Sequence, residues 1–252
     1  FILLENLPPS RSDTREDSGL TRADFLDLFE TQMMSRHLDY MARRLKMNNQ
    51  SFYTIGSAGH EGNAAVGKVF SYQDMAFLHY RSGAQYIQRA KQVPKQAPLY
   101  DLLLSFVASS EDPIAAGRHK VFGSVPLRIP PQTSTIASHL PKALGCALSL
   151  NRAKVLGNPY ATLDPQSVVL CTFGDASVNH AVSQAAFNTA SWMTFQNIPL
   201  PLVFNCEDND IGISVPTPPQ WIESSMKGRP GIQYFYGDGL NLFDAYKVAQ
   251  QC

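Results

Sequence analysis

CTFGDASVNHAVSQAAFNTA, residues 171–190, and PLPLVFNCEDNDIGIS, residues 199–214, decide the fold of this chain. A buried strand ends at Gly174-Asp175, a helix is expected to start at once, and a second buried strand ends at Glu207-Asp208-Asn209. Apolar runs without alternation, VVLCTF and PLVFNC, mark parallel strands covered on both faces. Strand, helix and strand in that order predict an α/β domain with a mostly parallel sheet and helices on both faces. This places Asp175 and Asn209 at the carboxyl ends of two strands, where open α/β sheets bind ligands. A carboxylate and a carboxamide offer oxygen ligands to a hard cation such as Mg²⁺, which keeps phosphate oxygens in its shell. Gly174 lets the backbone turn off the strand, and Ser177 with its neighbouring amides would face phosphate from the helix N-terminus. An Asp before a helix is also a common N-cap, and alone the Gly-Asp pair would mean no more than that.

Outward from this stretch, residues 1–20 are polar, carry Pro-Pro and mixed charge, and read as an arm or linker. Residues 21–252 read as one domain. Thr21-Arg22-Ala23-Asp24 precedes a long amphipathic stretch, which Asn48-Asn49 ends. SFYTIGSAGHEG (51–62) is a Gly- and Ser-rich loop and NAAVGKVF a helix. MAFLHY is a short strand running into Arg81-Ser82-Gly83, and helical spacing returns at YIQRAKQ and LYDLLLSFVA. GRHKVFGSVPLRIPPQTST lacks periodicity, holds three Pro and two Gly, and is expected to be a long loop. ASHLPKALGCALSLNRAK is a small-residue helix able to pack closely on a neighbour. The chain has no internal repeat. The last helical pattern, NLFDAYKVAQQC, has no cap or Gly/Pro stop, so the domain reads as incomplete at its C-terminal end.

Composition excludes several classes. Lys and Arg number 21, as do Asp and Glu, so a net charge of zero gives no pull toward nucleic acid or an anionic membrane. No apolar run approaches the ~20 residues of a membrane span. The four cysteines form no CxxC pair, and three sit in apolar patterns as small buried hydrophobes of a reducing compartment.

The two strand ends resemble the thiamine diphosphate motif, which opens with Gly-Asp-Gly and closes with paired Asn one helix and one strand later. More narrowly, residues from about Thr21 onward resemble the α subunit, or α half, of the 2-oxo acid dehydrogenase E1 component. The resemblance puts Mg²⁺ ligands on Asp175, the Asn209 side chain and the backbone carbonyl of Ile211. It puts cofactor contacts on Tyr80, Arg81, Asp175, Ala176, Ser177, Glu207 and Asn209, the Arg fork being suited to phosphate oxygens. Three positions depart from the pattern: Ala176 stands for the third Gly, Asp208 for the first Asn, and Ile211 for a Tyr. The Ala adds only a methyl, Ile211 would act through its main chain, and Asp208 brings negative charge toward a phosphate. Phe52 and Tyr53 resemble the wall of the substrate pocket in branched-chain members, with ordinary core rings as the alternative. Thr133, Thr135, Ser138 and His139 match a segment that holds a monovalent cation in some members, His139 replacing a Gln. Glu61 is expected to cap a helix. His119 and His180 are left without a role. Gly237-Asp238-Gly239 spells the opening triplet, but no strand and Asn pair follow it, so it reads as a turn.

The resemblance implies an enzyme: thiamine diphosphate- and Mg²⁺-dependent oxidative decarboxylation of a 2-oxo acid, branched-chain in the sense of Phe52-Tyr53, with acyl transfer to a lipoyl arm. It implies as partners a β subunit or β half and a lipoyl-bearing acyltransferase, in an α2β2 assembly or a dimer of fused chains. The proton-transfer His and Glu are expected outside these residues, so the chain itself carries no catalytic group. The implied location is the cytoplasm of a bacterium or the mitochondrial matrix. The alternatives are another thiamine diphosphate enzyme, such as an acetoin dehydrogenase or transketolase relative, and a non-catalytic assembly subunit that kept the fold.

Overall fold

Thr21 starts the first helix as its spacing predicts: its Oγ1 accepts the Asp24 N–H at 3.1 Å while Asp24 Oδ2 accepts the Thr21 N–H, a reciprocal capping box. The computed structural model describes residues 18–52, 55–158, 163, 164 and 166–252, so the arm expected over 1–20 lies almost wholly outside the described residues, as does Tyr53. In chain order come α1 (Arg22–Met47), a 3-10 turn (Glu61–Asn63), α2 (Ala64–Val69), β1 (Met75–Phe77), α3 (Gly83–Ala90) and α4 (Pro98–Phe106). There follow β2 (Phe122–Ser124), β3 (Ile129–Gln132), α5 (Leu140–Val155) and β4 (Val169–Gly174). A second 3-10 turn (Asp175–Ser177), α6 (Ala181–Phe195), β5 (Leu202–Glu207), α7 (Trp221–Met226) and α8 (Leu242–Gln251) complete the order. Asn49 takes φ 56° directly after α1, the left-handed turn that Asn tolerates best among residues with a Cβ.

The sheet is parallel, in the order β1-β4-β5, with Met75 beside Val169 and Gly174 beside Glu207. Successive strand side chains point to opposite faces, and here that alternation sorts them into two cores. Ala76, Leu78 and Leu170 join Leu38, Tyr86, Ile87, Leu102 and Phe106 from α1, α3 and α4. Phe77, Val169, Cys171 and Phe173 join Ala143 and Ala147 of α5 and Ala186 and Phe187 of α6. Both faces of β1 and β4 are therefore covered, as the apolar runs predict. β5 differs: it is the edge strand among the described residues, and each of its side chains is only half-buried.

Two further expectations are corrected. The aperiodic stretch after α4 is not all loop, because Phe122–Ser124 and Ile129–Gln132 pair as an antiparallel hairpin. It hangs on the β1 edge, where the Ala76 N–H donates to the Arg128 carbonyl at 3.1 Å. Pro130 and Pro131 sit in this short strand because an edge needs few donors. The helix after β4 does not start at once either. Asp175 begins a 3-10 turn, and α6 starts at Ala181, where His180 Nδ1 accepts the Val182 N–H at 3.2 Å. His180 is thus the N-cap, and Ser177 lies one turn ahead of the helix rather than at its N-terminus.

Candidate functional site

At the end of β4 the chain turns away from the sheet and leaves Asp175 2% exposed, with its Oδ2 buried and without a hydrogen-bond partner among the described residues. A buried carboxylate oxygen left unpaired is costly, so this atom requires a cation or donor from outside the described residues. The loop after β5 lies directly against it. A Cβ built on Gly212 would stand 2.9 Å from both Ala176 Cβ and the Val215 carbonyl oxygen, so only Gly lets the two loops touch. The Gly212 N–H donates to the Val215 carbonyl at 2.7 Å and Ile211 bridges to Pro216, which holds the Ile211 main chain beside the Asp175 turn. The Ile211 side chain is 62% exposed and leaves the main chain to act, as its departure from Tyr requires. Asn209 Oδ1 accepts the Ile211 N–H at 3.3 Å. Asp208 Oδ1 accepts the Asp210 N–H at 3.3 Å, and burial, with the neighbouring charges of Asp175 and Asp210, pushes its carboxyl up. The set of oxygen donors and the excess of negative charge fit a hard divalent cation.

Glu207 ends β5 beside this loop and is held by a polar network. Its Oε2 lies 2.6 Å from His60 Nδ1 and 3.3 Å from His79 Nε2, and Asn63 Nδ2 donates to both carboxylate oxygens at 3.2 and 3.3 Å. Burial pushes this carboxyl up, but the His79 charge and the His60 hydrogen bond outweigh burial and hold it at about 2. The two imidazoles and the carboxylate offer ligand atoms within 4.8 Å of one another. In this structure the Glu207 oxygens are taken by those donors. His60, Asn63 and His79 are the residues sequence reasoning missed: 147 residues separate His60 from Glu207, and no local pattern announces such a contact.

The SAGHEG loop is clamped from three sides. Both Asp39 oxygens accept the Ser57 N–H at 2.8 Å, Arg81 Nη1 donates to the Gly56 carbonyl at 2.7 Å, and Lys120 Nζ donates to the Ile55 carbonyl. Arg81 also lies over the Tyr80 ring at 5.2 Å, and with five N–H donors it keeps others for a ligand. Burial pulls the Lys120 ammonium down to about 7, with Asp39 opposing and Arg81 adding to the effect. Glu61 braces the same loop, its Oε2 accepting the Gly59 N–H at 2.8 Å and its Oε1 pairing with Arg36 at 2.5 Å, instead of capping helix amides.

Phe52 is 72% exposed, its ring edge on His119 at 5.9 Å. Of the four positions matched to a monovalent cation, three gather: Thr133 and Thr135 hydroxyls are 2.8 Å apart, and Gln132 Nε2 donates to Ser138 Oγ at 3.1 Å and the Thr135 carbonyl at 3.3 Å. His139 turns away, its Nε2 donating to the Thr172 carbonyl at 2.7 Å, and burial pulls its imidazole down to about 4. Gly237-Asp238-Gly239 is the turn expected: Asp238 Oδ1 accepts the Leu240 N–H at 3.0 Å, and Asn241 caps α8.

A parallel sheet flanked by helices, with a carboxylate at the end of β4 and a carboxamide in the loop after β5, defines an α/β domain, and comparison with known families narrows this. The description "Dehydrogenase E1 component" matches residues 29–243, and the chain belongs to that family. It is similar to the 2-oxoisovalerate dehydrogenase subunit alpha of Bacillus subtilis, 26% identical over 244 residues, covering 92% of this chain and 67% of that protein. The mitochondrial subunit alpha of Homo sapiens is 23% identical, with 94% of this chain and 49% of that protein covered. For the mitochondrial subunit alpha 2 of Arabidopsis thaliana the figures are 26%, 90% and 44%. The chain thus spans about two thirds of the bacterial relative and about half the length of the mitochondrial ones. Among the described residues no helix is long and apolar enough to cross a membrane.

Proposed function

We propose that this chain is the α-type part of a thiamine diphosphate-dependent 2-oxo acid dehydrogenase acting on a branched-chain 2-oxo acid. The observation that carries the reading is Asp175: a buried carboxylate oxygen without a partner, beside the Asn209–Ile211 loop, at the carboxyl ends of two parallel strands. In this reading Asp175, the Asn209 side chain and the Ile211 carbonyl hold Mg²⁺. Tyr80, Arg81, Ala176 and Ser177 line the diphosphate, and the remaining Arg81 donors neutralise it. Glu207 shapes the same site through His60 and His79 and not by direct contact with phosphate, consistent with its occupied oxygens. Thiamine diphosphate, when bound, supplies the electron sink for loss of CO₂. The chain's own part is to bind and orient, and the proton-transfer groups come from a β partner or from residues outside these 252. The acyl group goes to a lipoyl-bearing partner. The relatives' names, each a 2-oxoisovalerate dehydrogenase subunit alpha, support a branched substrate and a second subunit.

The test is Asp175→Ala in the full-length protein. Mg²⁺-dependent thiamine diphosphate binding should weaken by at least about tenfold, ~1.4 kcal/mol, with the circular dichroism spectrum unchanged. Wild-type affinity would remove Asp175 from the site. Substrate class is tested by comparing kcat/KM for 3-methyl-2-oxobutanoate, 4-methyl-2-oxopentanoate, pyruvate and 2-oxoglutarate in the assembled enzyme. The branched acids should lead. Pyruvate should follow by a modest factor, because each methylene in a pocket discriminates by only ~1–3 kcal/mol. A lead for 2-oxoglutarate would overturn the branched-chain reading. Asp208 favours a second reading, a subunit that keeps the fold without turnover, since its carboxyl adds charge where phosphate would bind. Saturable cofactor binding with no turnover of any of the four acids in the assembled complex is its signature.

A further inference from the structure

His60 is 7% exposed and sits between the carboxylate that ends β5 and the carboxamide that follows it. Its Nδ1 is 2.6 Å from Glu207 Oε2, and its Nε2 is 3.5 Å from Asn209 Nδ2. An ionised carboxylate accepts only, so the proton between His60 and Glu207 belongs to Nδ1. An amide nitrogen donates only, so the 3.5 Å contact makes Nε2 the acceptor of the Asn209 N–H, and the same lone pair would repel the Asn209 oxygen. The other end of the carboxamide is held as well, since Asn209 Oδ1 accepts the Ile211 N–H at 3.3 Å and keeps a second lone pair free. A carboxamide flipped by half a turn has the same shape but presents N–H to the cation. The loop turns beside Asn209 at Gly59, whose φ of +87° favours glycine, while a Cβ there would stand in ordinary contact at 3.7 Å from Asn209 Nδ2.

We propose that His60 is a positioning residue for the metal site: Glu207 fixes its tautomer, and its Nε2 holds the Asn209 carboxamide with Oδ1 toward the cation. This rests on the assignment of Asp175 and Asn209 as Mg²⁺ ligands. Partners one step behind a metal ligand typically govern affinity by about 10–100-fold. Gln can replace both functions, its amide N–H donating to Glu207 and its carbonyl accepting from Asn209. Ala replaces neither. Phe also removes both nitrogens while keeping a ring against His79, whose centroid lies 5.3 Å away.

The experiment titrates Mg²⁺ by calorimetry into the full-length protein at saturating thiamine diphosphate. His60→Ala and His60→Phe should weaken Mg²⁺ by about 10–100-fold. His60→Gln should stay within about threefold of wild type, below 1 kcal/mol. A purely structural role would leave Mg²⁺ affinity untouched in every variant that folds. Wild-type affinity in the Ala or Phe variant overturns the inference, and so does a Gln variant as weak as Ala. Loss of the folded circular dichroism spectrum in both Ala and Phe overturns it too, because His60 would then hold the fold and not Asn209. Asp175→Ala, titrated alongside, separates the two levels. If that variant binds Mg²⁺ normally, the metal assignment itself fails. If it loses Mg²⁺ while His60→Ala does not, only the role of His60 fails.

Discussion

Lys120 is 2% exposed, its ammonium over the Phe106 ring at 4.8 Å and donating to the Ile55 carbonyl under the SAGHEG loop. Burial brings its pKa to about 7 from the ordinary 10.5. The sign of the resulting pH dependence follows from proton counts. Between about 7 and 10.5 the unfolded chain binds more protons at this site than the folded one, so Lys120 makes stability rise with pH across that window. Below 7 both states are charged, and the burial penalty is present in full. Lys120→Met keeps the stem and deletes the charge. Urea unfolding of wild type and variant at pH 7.0, 7.8 and 8.5, on the order of the window's lower half, should show the variant's advantage shrinking as pH rises. A constant difference would mean that Lys120 is charged throughout, held by the aromatic rings and the carbonyl. The sequence places Lys120 in an aperiodic stretch and gives no sign of its burial. The place of Asp175 at the end of β4 is legible for the opposite reason: strand ends are written in local pattern.

Small residues set how closely α5 can lie on α6. Ala143 and Ala147 are both fully buried and share a core with Ala186 and Phe187 of α6. The sequence shows this helix plainly, because Ala, Gly and Ser recur along it at helical spacing. Ala147→Leu adds three carbons to a closed interface, and overpacking of this kind costs about 1–3 kcal/mol. Thermal unfolding should show the loss. An unchanged Tm would mean the helices can separate without cost. The hairpin β2–β3 was not legible, since strands of three and four residues interrupted by Pro130 and Pro131 carry no measurable alternation. The start of α6 was misread for a related reason. Asp175 and His180 are both acceptable caps, and only tertiary contact selects between them: the Ala176–Gly212 contact occupies the turn that a direct helix start would need.

At the scale of the molecule, the covered sheet and the position of the ligand face follow from periodicity, while the network behind that face does not. Glu207, His60, Asn63 and His79 come from the end of β5, the turn before α2 and the end of β1, and they meet only once the sheet is assembled. The same assembly leaves apolar surface uncovered. β5 is half-buried along its length, and Trp192, Phe195, Ile213, Tyr236 and Leu240 are between 64% and 96% exposed. Scattered apolar residues need no explanation, but five this exposed, together with a strand that is an edge among the described residues, lead to the expectation that the chain associates with another polypeptide. The 252-residue chain purified by itself should therefore associate as its concentration rises, by sedimentation velocity, and release no CO₂ from 3-methyl-2-oxobutanoate in the presence of thiamine diphosphate and Mg²⁺. Adding the β partner should produce CO₂ release and sharpen the sedimenting species to one of fixed size. CO₂ release by the chain alone would place the proton-transfer groups inside these residues, with His60 and His79 the first imidazoles to test by substitution.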